Sequence, residues 1–147
     1  MSGVALLDVN VLIALFDPDH VHHEPAHRWF EDQRRAGWAT CPLTENGLLR
    51  VLANPAYSPA ASPPAIILES LQVFCASGGH TFWPDDISLR DPGLFQTGAP
   101  PSHRQVTDLY LLALAVKHGG RLATFDRAIP FGKLRGAADE NLALIPA

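Results

Sequence analysis

Acidic side chains stand at the ends of apolar runs in this chain, where solubility does not require them. Asp8 and Asp126 each follow a short apolar run, Asp108 stands just before a longer one, and Glu45 follows the apolar segment 38–41. Buried strands and helices end at the rim of a core, so carboxylates placed there can converge, and they would repel one another without a cation between them. The placement predicts a divalent metal site.

Carboxylate oxygens suit the hard cations Mg²⁺ and Mn²⁺, and Mg²⁺ keeps several waters while taking few protein ligands. In hydrolases such an ion holds a phosphodiester oxygen and lowers the pKa of the attacking water. We therefore expect Asp8, Asp108 and Asp126 to be metal ligands, and Glu45 to be a further ligand or the residue that orients the water.

Neighbouring polar residues are placed to hold these carboxylates. Asn10, Thr107 and Thr124 lie within two residues of one of the acids and can hydrogen-bond to it. Each acid taken singly also has an ordinary explanation, because Asp and Glu are favoured near helix N-termini as caps and as partners of the helix dipole. The combination favours a site.

Helices and strands alternate along the chain, which positions these residues. We predict strands at 4–7, 38–41, 80–83, 121–125 and 142–145 and helices at 9–16, 25–35, 42–54, 65–76 and 107–118. Much of 85–102 has the composition of a loop. Continuously apolar strands that alternate with helices indicate a parallel sheet covered on both faces, with ligands beyond the carboxyl ends of its strands.

Composition limits the class of protein. A chain of 147 residues with 47% hydrophobic content predicts one domain over residues 1–147. Its net charge of −4 gives no overall attraction to nucleic acid. The apolar stretch 4–16 is interrupted by polar residues and fails as a signal peptide or a membrane span, so we expect a cytoplasmic protein without a membrane partner. Cys41 and Cys75 are expected to be half-buried thiols without a role.

A zinc site is the competing interpretation of the histidines. The segment His23-Glu24-Pro25-Ala26-His27 matches the H-E-x-x-H pattern of zinc metalloproteases. Pro25 is best tolerated in the first turn of a helix, which would leave His23 outside it and the two histidines on different faces. A third ligand is not evident, and histidines that pack at the helix entry near Trp29 are the alternative.

Four segments together resemble the sequential acidic motifs of PIN-domain ribonucleases, and within them most closely the VapC toxins of bacterial toxin–antitoxin pairs. The segments are 7–12, the single Glu45, 107–115 and 122–127, in the family's order and with similar spacing. The chain departs from the commonest pattern at Ala128, where some members carry another acid, and at Gly47, which follows Glu45 inside a helix.

The resemblance implies a three-layer α/β/α sandwich with a mainly parallel sheet of four to five strands. It also implies a Mg²⁺- or Mn²⁺-dependent endoribonuclease that acts on RNA, a homodimer, and a cognate VapB-like antitoxin that blocks the acidic site. By position, Asp8, Glu45, Asp108 and Asp126 match the family's acids. The alternative function is a PIN-like binding module that acts with its antitoxin as a DNA-bound regulator and has little nuclease turnover.

Overall fold

A computed structural model describes residues 3–59, 61–96 and 102–147 of the chain. Helices and strands alternate as the sequence predicts. In chain order they are β1 (Ala5–Leu7), α1 (Val9–Phe16), α2 (His23–Gln33), β2 (Trp38–Thr40), α3 (Pro42–Leu52), α4 (Pro64–Cys75), β3 (His80–Phe82), α5 (Val106–Lys117), β4 (Arg121–Thr124) and β5 (Leu142–Leu144). The strands form one sheet in the order β3-β2-β1-β4-β5, and every neighbouring pair is parallel. The predicted parallel α/β sheet is confirmed.

Both faces of the sheet are covered by helices, because successive residues of a strand point to opposite faces. Leu7 of β1 packs in a core with side chains of α1, α2, α3 and α4. Leu6, its neighbour, packs in a second core with side chains of α5. Both leucines are completely buried. The molecule is therefore the expected three-layer α/β/α sandwich.

The predicted elements match the structure closely in position. α1 has the predicted bounds, and most other elements differ by one or two residues at an end, where caps rather than apolar periodicity decide the boundary. The predicted loop at 85–102 has no helix or strand in its described part, apart from one isolated bridge between Phe95 and Leu134. Residues 97–101 of that loop lie outside the described residues.

α5 shows how the sequence sets the end of a helix. It is the predicted apolar helix, and its last residue is Lys117. Gly119, two residues further on, has a φ of 66°, a left-handed conformation that glycine adopts without steric cost and that turns the chain away from the helix. The backbone N–H of Gly120 donates back to the carbonyl of Ala115 at 2.8 Å and so satisfies a carbonyl of the last turn. α4 and α5 have 12 residues each, and in the described part of the chain no helix has the length and apolar content to span a bilayer.

The prediction for the start of α2 was wrong. His23 is the first residue of this helix, and Pro25 occupies the third position. Proline is accommodated there because the first backbone N–H groups of a helix have no intrahelical acceptor. The rings of His23 and His27 consequently share one face of the helix, with centroids 4.4 Å apart.

These two histidines cap the neighbouring helix, α1. Nδ1 of His23 lies 2.7 Å from the carbonyl oxygen of Ala14, and Nε2 of His27 lies 3.1 Å from that of Leu15. Both carbonyls belong to the last turn of α1, whose oxygens have no helical donor. A ring nitrogen that donates to a carbonyl carries a proton and is not available to a metal. The pair therefore has a structural explanation.

Gly47 allows α3 to approach α1 closely. A Cβ atom at this position would lie 2.7 Å from Cγ2 of Val9, well inside van der Waals contact. Gly47 is buried within an otherwise regular helix of 11 residues. The absence of a side chain at Gly47 thus lets the start of α3, which carries Glu45, lie next to the start of α1.

Candidate active site

Asp8 is held at the junction of β1 and α1. β1 pairs in parallel with β4 so that Leu7 lies opposite Ala123, and the next residues of the two strands, Asp8 and Thr124, therefore face each other. As the N-cap of α1, Asp8 accepts a hydrogen bond from the backbone N–H of Val9 at 2.7 Å, and its other oxygen accepts one from the Thr124 hydroxyl at 2.8 Å. Only 5% of Asp8 is exposed.

The Thr124 hydroxyl links three parts of this site. It donates to Asp8, and it accepts hydrogen bonds from Nδ2 of Asn10 at 3.2 Å and from the backbone N–H of Asp126 at 3.0 Å. One donor and two acceptor positions are all that a hydroxyl has, so the completely buried Thr124 is fully satisfied. Thr124 fixes Asp8 directly, and Asn10 acts on that carboxylate through Thr124.

Asp108 and Asp126 complete a group of three interacting carboxylates. Asp108 lies in the first turn of α5, and Asp126 follows β4, where its Oδ1 accepts a hydrogen bond from the backbone N–H of Ala128 at 2.8 Å. Partial burial, the charge of Asp8 and a hydrogen bond and charge from Asp126 raise the pKa of Asp108 to about 7. The structure thus brings these three predicted residues together.

The electrostatics of the three aspartates favour a cation. Burial is the main cause that raises the pKa of Asp8, the charge of Asp126 adds to it, and the hydrogen bonds from Thr124 and Val9 oppose it. Carboxylates whose pKa values rise because they are buried near one another are stabilised in their charged form by a positive ion. All of the donors are oxygens, which is the ligand chemistry of Mg²⁺ and Mn²⁺. The residues present therefore fit such an ion.

Glu45 lies at the same edge of the sheet, one strand away, and has other partners. It is in the first turn of α3, and its carboxylate accepts a hydrogen bond of 2.6 Å from Thr40, the last residue of β2. The Thr40 hydroxyl also lies 2.7 Å from Nε2 of His80. The charge of Glu45, secondary to burial, helps to raise the pKa of Cys75 to about 11. The backbone position of Glu45 matches the prediction, whereas its carboxylate contacts Thr40 in this conformation.

Some neighbours of the site were not anticipated from the sequence. His22 stacks on Phe125, the residue before Asp126, with ring centroids 4.8 Å apart and an interplanar angle of 27°. Cys75 and His80 lie beside Glu45, although Cys75 had been given no role. Thr107, predicted to support a carboxylate, is exposed and has no hydrogen bond to the acids among the described residues. No local motif marks His22, Cys75 or His80, because their neighbours depend on strand order.

Metal-ligand geometry separates two groups in the described ranges. The ligand atoms of Glu45, Cys75 and His80 all lie within 4.8 Å of one another. Within residues 3–59, 61–96 and 102–147, this is the one such set of three among the His, Cys, Asp and Glu side chains. The ligand atoms of Asp8, Asp108 and Asp126 do not all lie within that distance of one another. His23 and His27 belong to neither group, which leaves the protease-like zinc site without a third ligand in this part of the chain.

Comparisons with known proteins find a matching domain family and relatives that cover most of the chain. The family model for the PIN domain matches residues 5–135. Ribonuclease VapC39 of Mycobacterium tuberculosis is 49% identical over 125 residues, which are 85% of this chain and 90% of that protein. Ribonuclease VapC44 of the same organism is 43% identical over 141 residues, 96% of this chain and 99% of that protein.

A solved structure shares the architecture at much lower sequence identity. The crystal structure of VapBC2 from Rickettsia felis, bound to a DNA fragment from their promoter, aligns over 96% of both chains with a TM-score of 0.57 and 14% identity. That likeness concerns the fold alone. Family membership rests instead on the domain match and on relatives of nearly equal length at 43% and 49% identity. On these grounds, this chain belongs to the PIN-domain family, among the VapC ribonucleases.

Proposed function

We propose that this chain is a toxin endoribonuclease that hydrolyses RNA phosphodiester bonds with Mg²⁺ or Mn²⁺ held by Asp8, Asp108 and Asp126. The observation that carries the proposal is the convergence of these three carboxylates, two of which have raised pKa values because of burial and of one another's charge. Relatives that cover nearly all of the chain are ribonucleases by name, which supports RNA as the substrate.

The residues of the chain prepare this site for substrate. A bound Mg²⁺ or Mn²⁺ supplies stabilisation of charge on the phosphate and a lower pKa for the attacking water. Asp8 and Asp126 are each fixed by backbone N–H groups and by Thr124, so their orientation costs little when the substrate binds. Because the pKa of Asp108 is about 7, this carboxyl must lose its proton before it can act as a ligand near neutral pH.

Glu45 completes the proposed catalytic group, as a further ligand or as the residue that orients the attacking water. Its support is position, because the first turn of α3 lies at the same edge of the sheet as Asp8. Asn10 and Thr124 hold Asp8 through the hydroxyl described above. Thr107 remains a predicted supporting residue, one position before Asp108.

The test compares Asp8→Asn with the wild type in RNA cleavage with Mg²⁺, with Mn²⁺ and with a chelator. We expect the wild type to require metal, and the variant to lose at least about 100-fold in cleavage rate, beyond the effect typical of residues that only support a ligand. Asp139→Asn, at an exposed acid on the opposite edge of the sheet, is the matched control and should cleave normally. Equal cleavage by wild type and Asp8→Asn would contradict the mechanism.

A protein partner belongs to the proposal. The relatives carry VapC names, and the structural neighbour is a VapBC complex, which supports a cognate VapB-like antitoxin. α4 leaves Ile66 52% and Val73 68% exposed beside a cleft of about 670 Å³, an apolar surface suited to a protein contact. We further propose a homodimer and, because the substrate is RNA, a cytoplasmic location.

The DNA complex of the structural neighbour motivates the second candidate, a binding module that acts with its antitoxin on DNA and has little turnover. The two functions differ in what the free chain does. A nuclease cleaves RNA with metal when the antitoxin is absent, and its expression alone arrests growth. A binding module does neither, and Asp8→Asn would leave its phenotype unchanged.

A further inference from the structure

A second set of possible ligands surrounds Thr40, apart from the aspartates. Glu45 comes from the first turn of α3, Cys75 is the last residue of α4, and His80 is the first residue of β3. The carboxylate, thiol and imidazole ligand atoms all lie within 4.8 Å of one another, and all three residues are partly buried. Three elements of the fold thus bring three different donor types to one place.

Hydrogen bonds to Thr40 hold the three residues together in the metal-free chain. Because the Thr40 hydroxyl donates its one proton to Glu45 at 2.6 Å, Nε2 of His80, 2.7 Å from that hydroxyl, donates to it in the metal-free chain. The Thr40 side chain also hydrogen-bonds to Cys75, which partly opposes the effects that raise the pKa of the thiol. A thiol is only a weak hydrogen-bond partner, whereas sulfur is the donor that distinguishes zinc-type sites from magnesium sites, and the sulfur of Cys75 lies within reach of both other ligand atoms.

We propose that Glu45, Cys75 and His80 bind Zn²⁺, or a divalent ion of the same class, at a site separate from the three aspartates. In tetrahedral coordination at ordinary zinc distances, the donor atoms would be about 3.3–3.6 Å apart. From the present limit of 4.8 Å, a contraction of at most about 1.2–1.5 Å is therefore needed. Water would fill the fourth position. Binding forms bonds to the Cys75 sulfur and to a ring nitrogen of His80. The thiol proton passes to solvent, and where Nε2 is the ligand its proton is lost to solvent while Nδ1 takes one up.

The shared residue Glu45 gives the site a consequence for activity. This consequence rests on the proposed function, whereas the site itself does not. An ion that holds Glu45 next to Cys75 and His80 prevents that carboxylate from acting at the aspartates. Zn²⁺ would therefore inhibit cleavage that Mn²⁺ supports, and loss of the thiol would relieve the inhibition.

The site is tested with Co²⁺, a spectroscopic substitute for Zn²⁺ whose bond to a thiolate gives a charge-transfer band in the near ultraviolet. We expect the wild-type chain to show this band with one equivalent of Co²⁺ and to lose it when Zn²⁺ is added. Cys75→Ser should abolish the band, and His80→Ala should weaken Co²⁺ affinity at least about tenfold. Cys41→Ser is the matched control, because it removes the other, fully buried thiol and should leave the band intact.

The outcomes separate the site from the nuclease. Absence of the band in the wild type, or its persistence in folded Cys75→Ser, overturns the site whether or not the chain cleaves RNA. Circular dichroism identifies variants that fail to fold, and Cys75→Ser, a change of one atom, supplies the decisive comparison. In the cleavage assay Zn²⁺ should inhibit wild type and spare Cys75→Ser. Equal inhibition of both would place the inhibitory zinc elsewhere and overturn the proposed coupling through Glu45.

Discussion

Replacement of Asp108 by asparagine should make the metal-free protein more stable at neutral pH. The pKa of this carboxyl rises from 3.8 to about 7, first because of burial and then because of Asp8 and Asp126. Above that pKa the folded chain must hold a third negative charge among the aspartates. Asparagine keeps the shape of the side chain and removes the charge, so Asp108→Asn relieves a repulsion that only the folded state contains.

The sign follows from proton linkage. Between about pH 4 and pH 7 the folded state binds more protons at Asp108 than the unfolded chain, so the free energy of unfolding falls as pH rises through this window. The full linkage energy for a pKa that rises from 3.8 to about 7 is about 4 kcal/mol. Asp108 is only partly buried, and solvent screening reduces the expected gain for Asp108→Asn to about 1–2 kcal/mol.

Thermal unfolding in a chelator at two pH values measures this gain. A change of about 1–2 kcal/mol should raise the melting temperature of Asp108→Asn over wild type by about 3–6 °C at pH 7.5. The difference should nearly vanish at about pH 4.5, where the wild-type carboxyl is protonated in the folded state. Saturating Mn²⁺ should stabilise the wild type more than the variant. A variant that is less stable than wild type at pH 7.5 in chelator would refute the electrostatic reasoning, and Asp139→Asn should show little change at either pH.

Three further substitutions test the supporting structure. Thr124→Val leaves a buried carboxylate, an amide and a backbone N–H without their shared partner. It should lower the free energy of unfolding by about 1–3 kcal/mol in denaturant titration and reduce the cleavage rate about 10- to 100-fold. Thr124→Ser keeps the hydroxyl and should retain most of both stability and activity. Gly47→Ala should destabilise the folded protein by about 1 kcal/mol, since overpacking against Val9 exceeds the gain in helix propensity. Gly132→Ala is the control and should be near neutral, because a Cβ there meets open space. Equal effects of the two substitutions would contradict the close approach of α1 and α3. His23→Ala should lower the free energy of unfolding by about 1 kcal/mol, because it removes the contact with the Ala14 carbonyl, and it should leave the zinc content unchanged. Loss of stoichiometric zinc in this variant would instead support the protease-like zinc site.

The sheet and the aspartates could be predicted because short-range signals determine them. Apolar runs mark β1 and β4, so the acids just beyond these strands can be placed at the sheet edge from the sequence alone. Gly119 likewise marks where α5 ends. Asp8 and Asp126 both follow strands that lie next to each other in the sheet. Parallel pairing brings their carboxyl ends together whatever the details of packing.

The surroundings of Glu45 could not be predicted in the same way. His80 meets Thr40 because β3 pairs with β2 in a register that sets His80 opposite Trp38, two residues before Thr40 on the same face. Neither the strand order nor this register is encoded in a local pattern. The start of α2 was also misjudged, because Pro25 indicates the first turn of a helix without specifying which position of that turn it occupies.

Strand order explains why the acidic site lies where it does. From β1 the chain continues to β2 and then to β3 on one side of the sheet, and it returns through α5 to β4 on the other side of β1. The connections that leave the carboxyl ends of β1 and β4 therefore diverge, and such a reversal opens a crevice at that edge of a parallel sheet. Asp8 and Asp126 begin those two connections, and the first turn of α5 brings Asp108 to them. Each of the three acids stands at a position that is ordinary for an acid, and the order of the strands in the sheet brings them together in one charged cluster.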